Sequence, residues 1–253
     1  MGGSLMGSEG ASKISGSRYC MNTFRRIALT LLLSGAIFGV RPLSAQPKPG
    51  HLDEVLRQMD DASTKFKSAQ ADFIWQLYER VVKQTTTQNG IIYFIKEGSK
   101  LEMGAKIVPP SAKFLEYRNG QLRVFDPGAD HLTVLSAGSN QAQYESFLTL
   151  GFGGSGHELS KAWTISDLGT EPMSDGEQTI VAAKLDLVSK DTSVRNMFTH
   201  VIIWVDPLRG ISLKQQFFTP SEDQKTAVYS HIRYNQKVDT APYAIKTDKN
   251  TTR

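Results

Sequence analysis

Cysteine is nearly absent from this chain of 253 residues, which contains only Cys20. Because Cys20 precedes the main apolar run, a chain cleaved after that run would carry no cysteine. Disulfide bonds and thiolate metal sites would then be excluded. The five histidines are scattered singly and form no His-x-x-x-His pair. The sequence therefore predicts no metal site and no cofactor.

Long apolar runs are also missing. The main one, residues 27–40, has 14 residues, whereas a membrane-spanning helix needs about 20. Two arginines precede this run and a small residue, Ala45, lies shortly after it, which is the pattern of a secretory signal. We therefore predict a leader and signal peptide over residues 1–45, with Met21 as a candidate start and cleavage near Ala45. A retained membrane anchor is the alternative.

An excess of positive charge is confined to the leader. The whole chain has 29 basic and 25 acidic residues, and 24 of each remain in residues 46–253. A neutral chain lacks the basic surface that phosphate backbones require. We therefore expect no nucleic-acid partner.

Catalytic constellations are not recognisable either. Residues 151–156 match G-x-G-x-x-G, but they follow a helical pattern, and a dinucleotide site needs a preceding strand. His157 stands where a nucleophile elbow requires glycine. We predict that the protein is not an enzyme, with an exported hydrolase as the least favoured hypothesis.

What the sequence does contain is one amphipathic helix followed by many short strands. Apolar residues from Leu52 to Phe66 recur at steps of three and four, and from Ser68 the period changes to two. We predict a linker at 46–50, a single domain at 51–247 and a disordered tail at 248–253. The fold class is mainly β with helices (α+β), built on an antiparallel sheet.

Turn signals separate the predicted elements. Asn89-Gly90 predicts a hairpin turn, and a second helix is predicted over residues 141–152. The predicted strands are 71–78, 91–96, 112–118, 121–126, 131–135, 163–167, 179–188, 200–206, 211–219, 227–237 and one near 243–246.

Several of these strands are apolar on both faces. Residues 91–95 and 200–205 carry apolar side chains at successive positions, as expected of a sheet buried on both sides. The helices are too few to cover both faces, so we expect a sheet that curls around an apolar groove. A fully packed core is the alternative for any single residue.

Two segments carry a resemblance to a known family. Residues 68–76 (SAQADFIWQ) and 119–127 (NGQLRVFDP), in this order after a helix, resemble the periplasmic outer-membrane lipoprotein carrier family, LolA and its relatives. The resemblance covers most of residues 51–247. It implies an incomplete, curved antiparallel β-barrel (a half-barrel) with a helical lid or plug.

The resemblance also implies a function. Such a protein is a periplasmic monomer that binds the acyl chains of lipidated proteins. It would receive them from an inner-membrane ABC-type exporter and pass them to an outer-membrane acceptor. The alternative is an envelope domain of the same shape that senses lipids or lipoproteins, or acts as a scaffold, without transport.

On this interpretation the groove, its lid and its hinge can be assigned to residues. Where the family has a Lys-Arg-Pro motif whose arginine holds the lid, this chain has Glu97, so lid control is expected to differ. The predicted groove residues are Phe73, Trp75, Leu77, Tyr93, Ile95, Val124, Ile203 and Phe217; the lid residues are Tyr144, Phe147, Leu148, Leu150 and Phe152; the hinge residues are Gly153, Gly154 and Gly156.

Overall fold

The first element of the described chain is a helix with one apolar side. The structure is a computed structural model that describes residues 50–98, 100–136, 138 and 150–252. Helix α1 spans His51–Lys65 and buries Val55, Met59 and Ala62, which lie on one face because they are spaced by four and three residues. Arg57 on the opposite side is exposed and pairs with neighbouring carboxylates. The predicted first helix is confirmed.

Eleven strands follow within the described residues and form one sheet. Each neighbouring pair is antiparallel. The strands are β1 (Ser68–Glu79), β2 (Gln84–Glu97), β3 (Lys100–Ile107), β4 (Lys113–Arg118), β5 (Gln121–Asp126), β6 (His131–Ser136), β7 (Trp163–Ser174), β8 (Thr179–Ser189), β9 (His200–Asp206), β10 (Ile211–Phe218) and β11 (Gln224–Tyr234).

The order across the sheet is β6-β5-β4-β3-β2-β1-β11-β10-β9-β8-β7. Sequence neighbours are therefore paired everywhere except in the middle, where the first strand pairs with the last. This central pairing joins two meanders into one sheet. The edge strands β6 and β7 do not pair with each other, so the sheet stays open.

Short helices connect the strands. Helix α2 (Gly156–Ala162) is capped by the Ser155 side chain, which accepts a hydrogen bond from the Glu158 amide at 3.1 Å. Helix α3 (Thr192–Met197) is capped in the same way by Asp191. In the described part of the chain, no helix is long and apolar enough to span a membrane.

The sheet curls, as the sequence predicts. Leu115 of β4 and Phe217 of β10 line the same cavity although four strands lie between β4 and β10. A flat sheet would hold these side chains far apart, since neighbouring strands are about 4.8 Å apart. The predicted fold class, an open and curved antiparallel half-barrel with helices, is confirmed.

The first hairpin turn lies elsewhere than predicted. Asn89 and Gly90 are inside β2, and the turn is at residues 80–83, where Lys83 adopts a φ of 53°. Gly90 serves packing instead, because a Cβ there would lie only 2.6 Å from the Phe73 ring. A glycine inside a strand often marks such a close approach.

One strand was missed by sequence reasoning. In β3, Leu101, Met103, Ala105 and Ile107 are buried at alternate positions, and of the residues between them only Gly104 is buried as well. Period-two alternation was therefore present, but the charged residues and Gly104 between the apolar ones obscured it. The helices α2 and α3 were likewise not predicted.

Other differences concern the later part of the chain. Residues 150–152 of the predicted second helix are not helical, and residues 141–149 lie outside the described residues. No strand forms at 243–246, where a 3-10 turn (Ala241–Tyr243) leads into extended chain. The predicted disordered tail instead has partners, since Thr251 and Thr252 hydrogen-bond to Asp130.

A buried ion network links the β7–β8 and β9–β10 turns. Arg209 contacts Asp206 at 2.6 Å and Asp175 at 2.9 Å, and both carboxylates are almost fully buried. Burial raises the pKa of Asp175, but hydrogen bonds from the Gln178 and Glu177 amides and from Arg209 outweigh it. The pKa of Asp175 is thereby lowered from 3.8 to about 2.

Because of this network, the free energy of unfolding should depend on pH. A carboxylate with a lowered folded-state pKa stabilises the protein above pH ~4, and about 2 kcal/mol of that free energy is lost as pH falls towards ~2. Arg209→Met should lower the free energy of unfolding at pH 7 by about 3 kcal/mol, because two buried charges lose their partner. Urea unfolding at several pH values measures both effects. The exposed-pair variant Arg57→Met is the control, and equal losses in the two variants would contradict the assignment.

Helices α1 and α2 approach closely at Gly156. A Cβ at this position would lie 2.6 Å from the Leu56 backbone carbon, and a backbone cannot move aside as a flexible side chain can. Gly156→Ala should therefore lower the free energy of unfolding by about 1–3 kcal/mol. At Gly50, by contrast, the nearest atom to an added Cβ is 3.7 Å away. Thermal unfolding should show Gly50→Ala close to wild type, and a neutral Gly156→Ala would refute this close contact.

Candidate functional site

A cavity of about 330 Å³ opens on the concave face of the sheet. It lies over β1, β2, β3, β4, β10 and β11, beside the part of the face that α1 covers. Its lining residues are Phe73, Trp75, Ile92, Phe94, Met103, Ala105, Ile107, Leu115, Phe198, Gln215, Phe217, Lys225, Ala227 and Tyr229.

Strand register explains why these side chains share one face. Phe73 of β1 pairs with Tyr229 of β11, and Trp75 pairs with Ala227. Directly paired residues point to the same side of a sheet, and alternate residues along one strand do so too. Trp75 is 36% exposed, so the cavity is open to solvent at this row.

The lining is apolar apart from Gln215 and Lys225. Gln215 is buried and already engaged, since its amide donates to the Leu150 carbonyl and its carbonyl accepts the Tyr229 hydroxyl at 3.2 Å. Burial raises the pKa of Tyr229, which keeps this hydroxyl protonated. The floor of the cavity therefore offers a ligand apolar surface and little hydrogen bonding.

Phe152 closes one end of this surface. Its ring stacks on Phe94 with centroids 4.3 Å apart and meets Tyr229 edge-on at 4.9 Å. The Gly153 amide donates to the Gly210 carbonyl at 3.0 Å, and Phe152 bridges to Ile211. The segment 150–153 is thus docked against the start of β10.

Lys96, the residue before Glu97, contacts the described end of the predicted lid. Its ammonium donates to the Gly153 carbonyl at 3.1 Å, whereas Glu97 is exposed at the end of β2. A basic residue one position earlier therefore fastens the 150–153 segment to the sheet.

The structure distributes the eight predicted groove residues over four environments. Phe73, Trp75 and Phe217 line the cavity. Leu77 and Val124 lie on the same face outside its lining, by their pairing with Lys225 and Leu115. Ile203 is also on this face, but it is fully buried in the cluster that contains Val55 and Met59 of α1.

Tyr93 and Ile95 lie on the opposite, convex face, so their assignment to the groove was wrong. Tyr93 packs edge-on against Tyr243 at 4.7 Å and donates to Glu102 at 2.9 Å. Both faces of β2 are apolar because the C-terminal segment covers the convex one. Ile92 and Phe94 are the β2 residues that face the cavity.

The predicted lid is described only in part. Tyr144, Phe147 and Leu148 lie outside the described residues, while Leu150 and Phe152 are each 1% exposed. The predicted hinge residues have packing roles that the sequence did not reveal: Gly153 lies against the Phe66 ring and Gly156 against α1, and Gly154 lines a small cleft between α1 and α2.

Lys225 and the β3 residues of the cavity were missed by sequence reasoning. For β3, the sequence did contain a signal, because buried apolar residues occur at alternate positions. For Lys225, the only signal is its pairing with Leu77 and Phe217 in the sheet. The position of Lys225 in the cavity could therefore be recognised only from the strand pairing.

Among the described residues, no group of three or more His, Cys, Asp or Glu is placed to hold a metal ion.

Sequence comparison identifies no relative: no family model and no curated protein matches the chain. Structure comparison finds a chain of the Pseudomonas aeruginosa MucA/MucB complex (TM-score 0.49, 10% identity), and the match covers 78% of this chain and 62% of that one. It also finds a LolA superfamily protein from Nitrosomonas europaea, with a TM-score of 0.37 and 14% identity. This match covers 78% of this chain and 99% of that one. A third match is the lipoprotein LppX of Mycobacterium tuberculosis, with a TM-score of 0.41 and 14% identity. This match covers 74% of this chain and 97% of that one. In this chain itself the sheet is open and antiparallel, and α1 covers part of its concave face.

Proposed function

We propose that the protein is an exported carrier that binds acyl chains in the groove on its concave face. The observation that carries this proposal is the cavity of about 330 Å³ with an almost entirely apolar lining. Cavities of about 300–1,000 Å³ with apolar walls are the usual form of small-molecule sites. An acyl chain matches this lining because it needs no hydrogen bonds from the cavity floor.

The cavity size suits reversible binding. Burying a methylene group contributes about 0.8 kcal/mol, so roughly ten buried methylenes contribute about 8 kcal/mol before the costs of association. That free energy corresponds to a dissociation constant no tighter than about 1 μM. A carrier must release its cargo, and three fully buried chains would prevent release.

The route of the cargo follows from the resemblance in sequence. In this proposal the protein acts in the periplasm as a monomer, after removal of residues 1–45. It takes lipidated proteins from an inner-membrane ABC-type exporter and delivers them to an outer-membrane acceptor. It acts as a binding protein, without catalysis or a cofactor.

Filling the cavity should weaken ligand binding. Ala227 lines the cavity and the next residue, Val228, points to the convex face of the same strand. Ala227→Phe should weaken binding of a synthetic lipidated peptide by at least about ten-fold, because the added ring occupies the ligand's space. Val228→Phe is the matched control and should bind as wild type does. Emission of Trp75 on titration provides the measurement, with the buried Trp163 and Trp204 as constant background.

Native mass spectrometry of the protein purified from cells tests the same proposal without added ligand. Co-purified lipidated species that disappear in Ala227→Phe would support it. Transfer of a labelled lipidated peptide between vesicles then distinguishes a carrier from a sensor, since a sensor binds without accelerating transfer. An unchanged Trp75 emission with every lipid tested would overturn the proposal.

A further inference from the structure

One charged side chain faces the mouth of the apolar cavity. Lys225 of β11 lines the cavity and pairs with Leu77 on one side and Phe217 on the other. Its ammonium lies 5.7 Å from the centre of the Phe198 ring. Within the described part of the chain, Lys225 forms no hydrogen bond or ion pair.

The nearby carboxylates are engaged elsewhere. Asp223, two residues before Lys225, accepts the Arg80 amide at 2.8 Å and the Ser221 hydroxyl at 2.7 Å. Glu222 pairs with the Arg80 guanidinium at 3.2 Å. Glu79 lies on the concave face beyond Leu77 but is exposed. The pKa of Asp223 is lowered by the Ser221 hydroxyl and the Arg80 amide, and also by the nearby charge of Lys225. Lys225 forms no ion pair with Asp223 in the described structure, so its ammonium can still attract an anion from outside the protein.

The cavity admits one chain. An apolar cavity of about 150 Å³ is known to hold one benzene molecule, so a cavity of about 330 Å³ has room for roughly twice as many carbon atoms. About twelve carbons correspond to one medium-length alkyl chain. A molecule with three long chains would leave most of its apolar surface outside.

We propose that the groove binds a single-chain amphiphile with an anionic headgroup, carboxylate or phosphate, whose charge pairs with Lys225 while its tail lies against Phe73, Ile92 and Leu115. This inference rests on one part of the proposed function, acyl-chain binding in the groove, and names a ligand class that differs from the lipidated proteins of the proposed cargo route. The polar group at the floor, Gln215, is satisfied internally, so the headgroup can only sit at the Lys225 end.

Three twelve-carbon probes separate the headgroup from the tail. Dodecanoate carries a carboxylate, dodecyl phosphate a phosphate, and 1-dodecanol no charge. The two anions are titrated below their micelle-forming concentrations and the alcohol below its solubility limit, while Trp75 emission is recorded. Wild type should bind both anions about three- to ten-fold more tightly than the alcohol, as expected for a charge-assisted pair. The difference should shrink as salt is raised. Comparing the two anions identifies the headgroup source.

The variants assign that preference to Lys225. Lys225→Gln should bind the anions as weakly as the alcohol, Lys225→Arg should keep the preference, and the exposed Lys100→Gln should equal wild type. Equal binding of all three probes by wild type, or a preference that survives in Lys225→Gln, would overturn the inference while leaving acyl-chain binding intact. Failure of every probe to bind would instead overturn the proposed function.

Discussion

A single amphipathic helix cannot cover the concave face of an eleven-stranded sheet, and this shortage governs the rest of the structure. Helix α1 has 15 residues, and its buried side joins Leu185 and Ile203 in one hydrophobic cluster. The strands from β1 to β4 belong to a second cluster. Over that second part, the described residues leave an apolar surface open, and burial of such surface is the main favourable term in binding an apolar ligand.

The segment 150–153 sets how much of that surface stays open. Phe152 fills the space between Phe94 and Tyr229, while Gln215 binds the carbonyl of Leu150. Lys96 of β2 donates a hydrogen bond to the Gly153 carbonyl of the same segment. Because these polar groups satisfy one another, the remaining cavity is bounded mainly by apolar side chains and carries the ammonium of Lys225 at its mouth.

The two faces of the sheet differ in what covers them. On the convex face, Trp204 lies between the ammonium groups of Lys184 and Lys214 and donates to Glu171 at 2.8 Å. Further along, Tyr243 of the C-terminal segment covers Tyr93, and Thr252 bridges to β6. Trp204 and Tyr93 are therefore buried on this side by the chain itself, away from the groove.

The sequence by itself determined the class of fold, the first helix and most of the strands, because amphipathic spacing and turn residues act locally. It also indicated that apolar strands outnumber the helices available to cover them. Only the tertiary structure decided which face of β2 is concave, since Tyr93 and Phe94 are equally apolar and differ only in what packs on them. The same holds for Lys225, whose position at the cavity mouth follows from pairing with β1 and β10. Strand register joins residues far apart in the chain, and no local pattern encodes it fully.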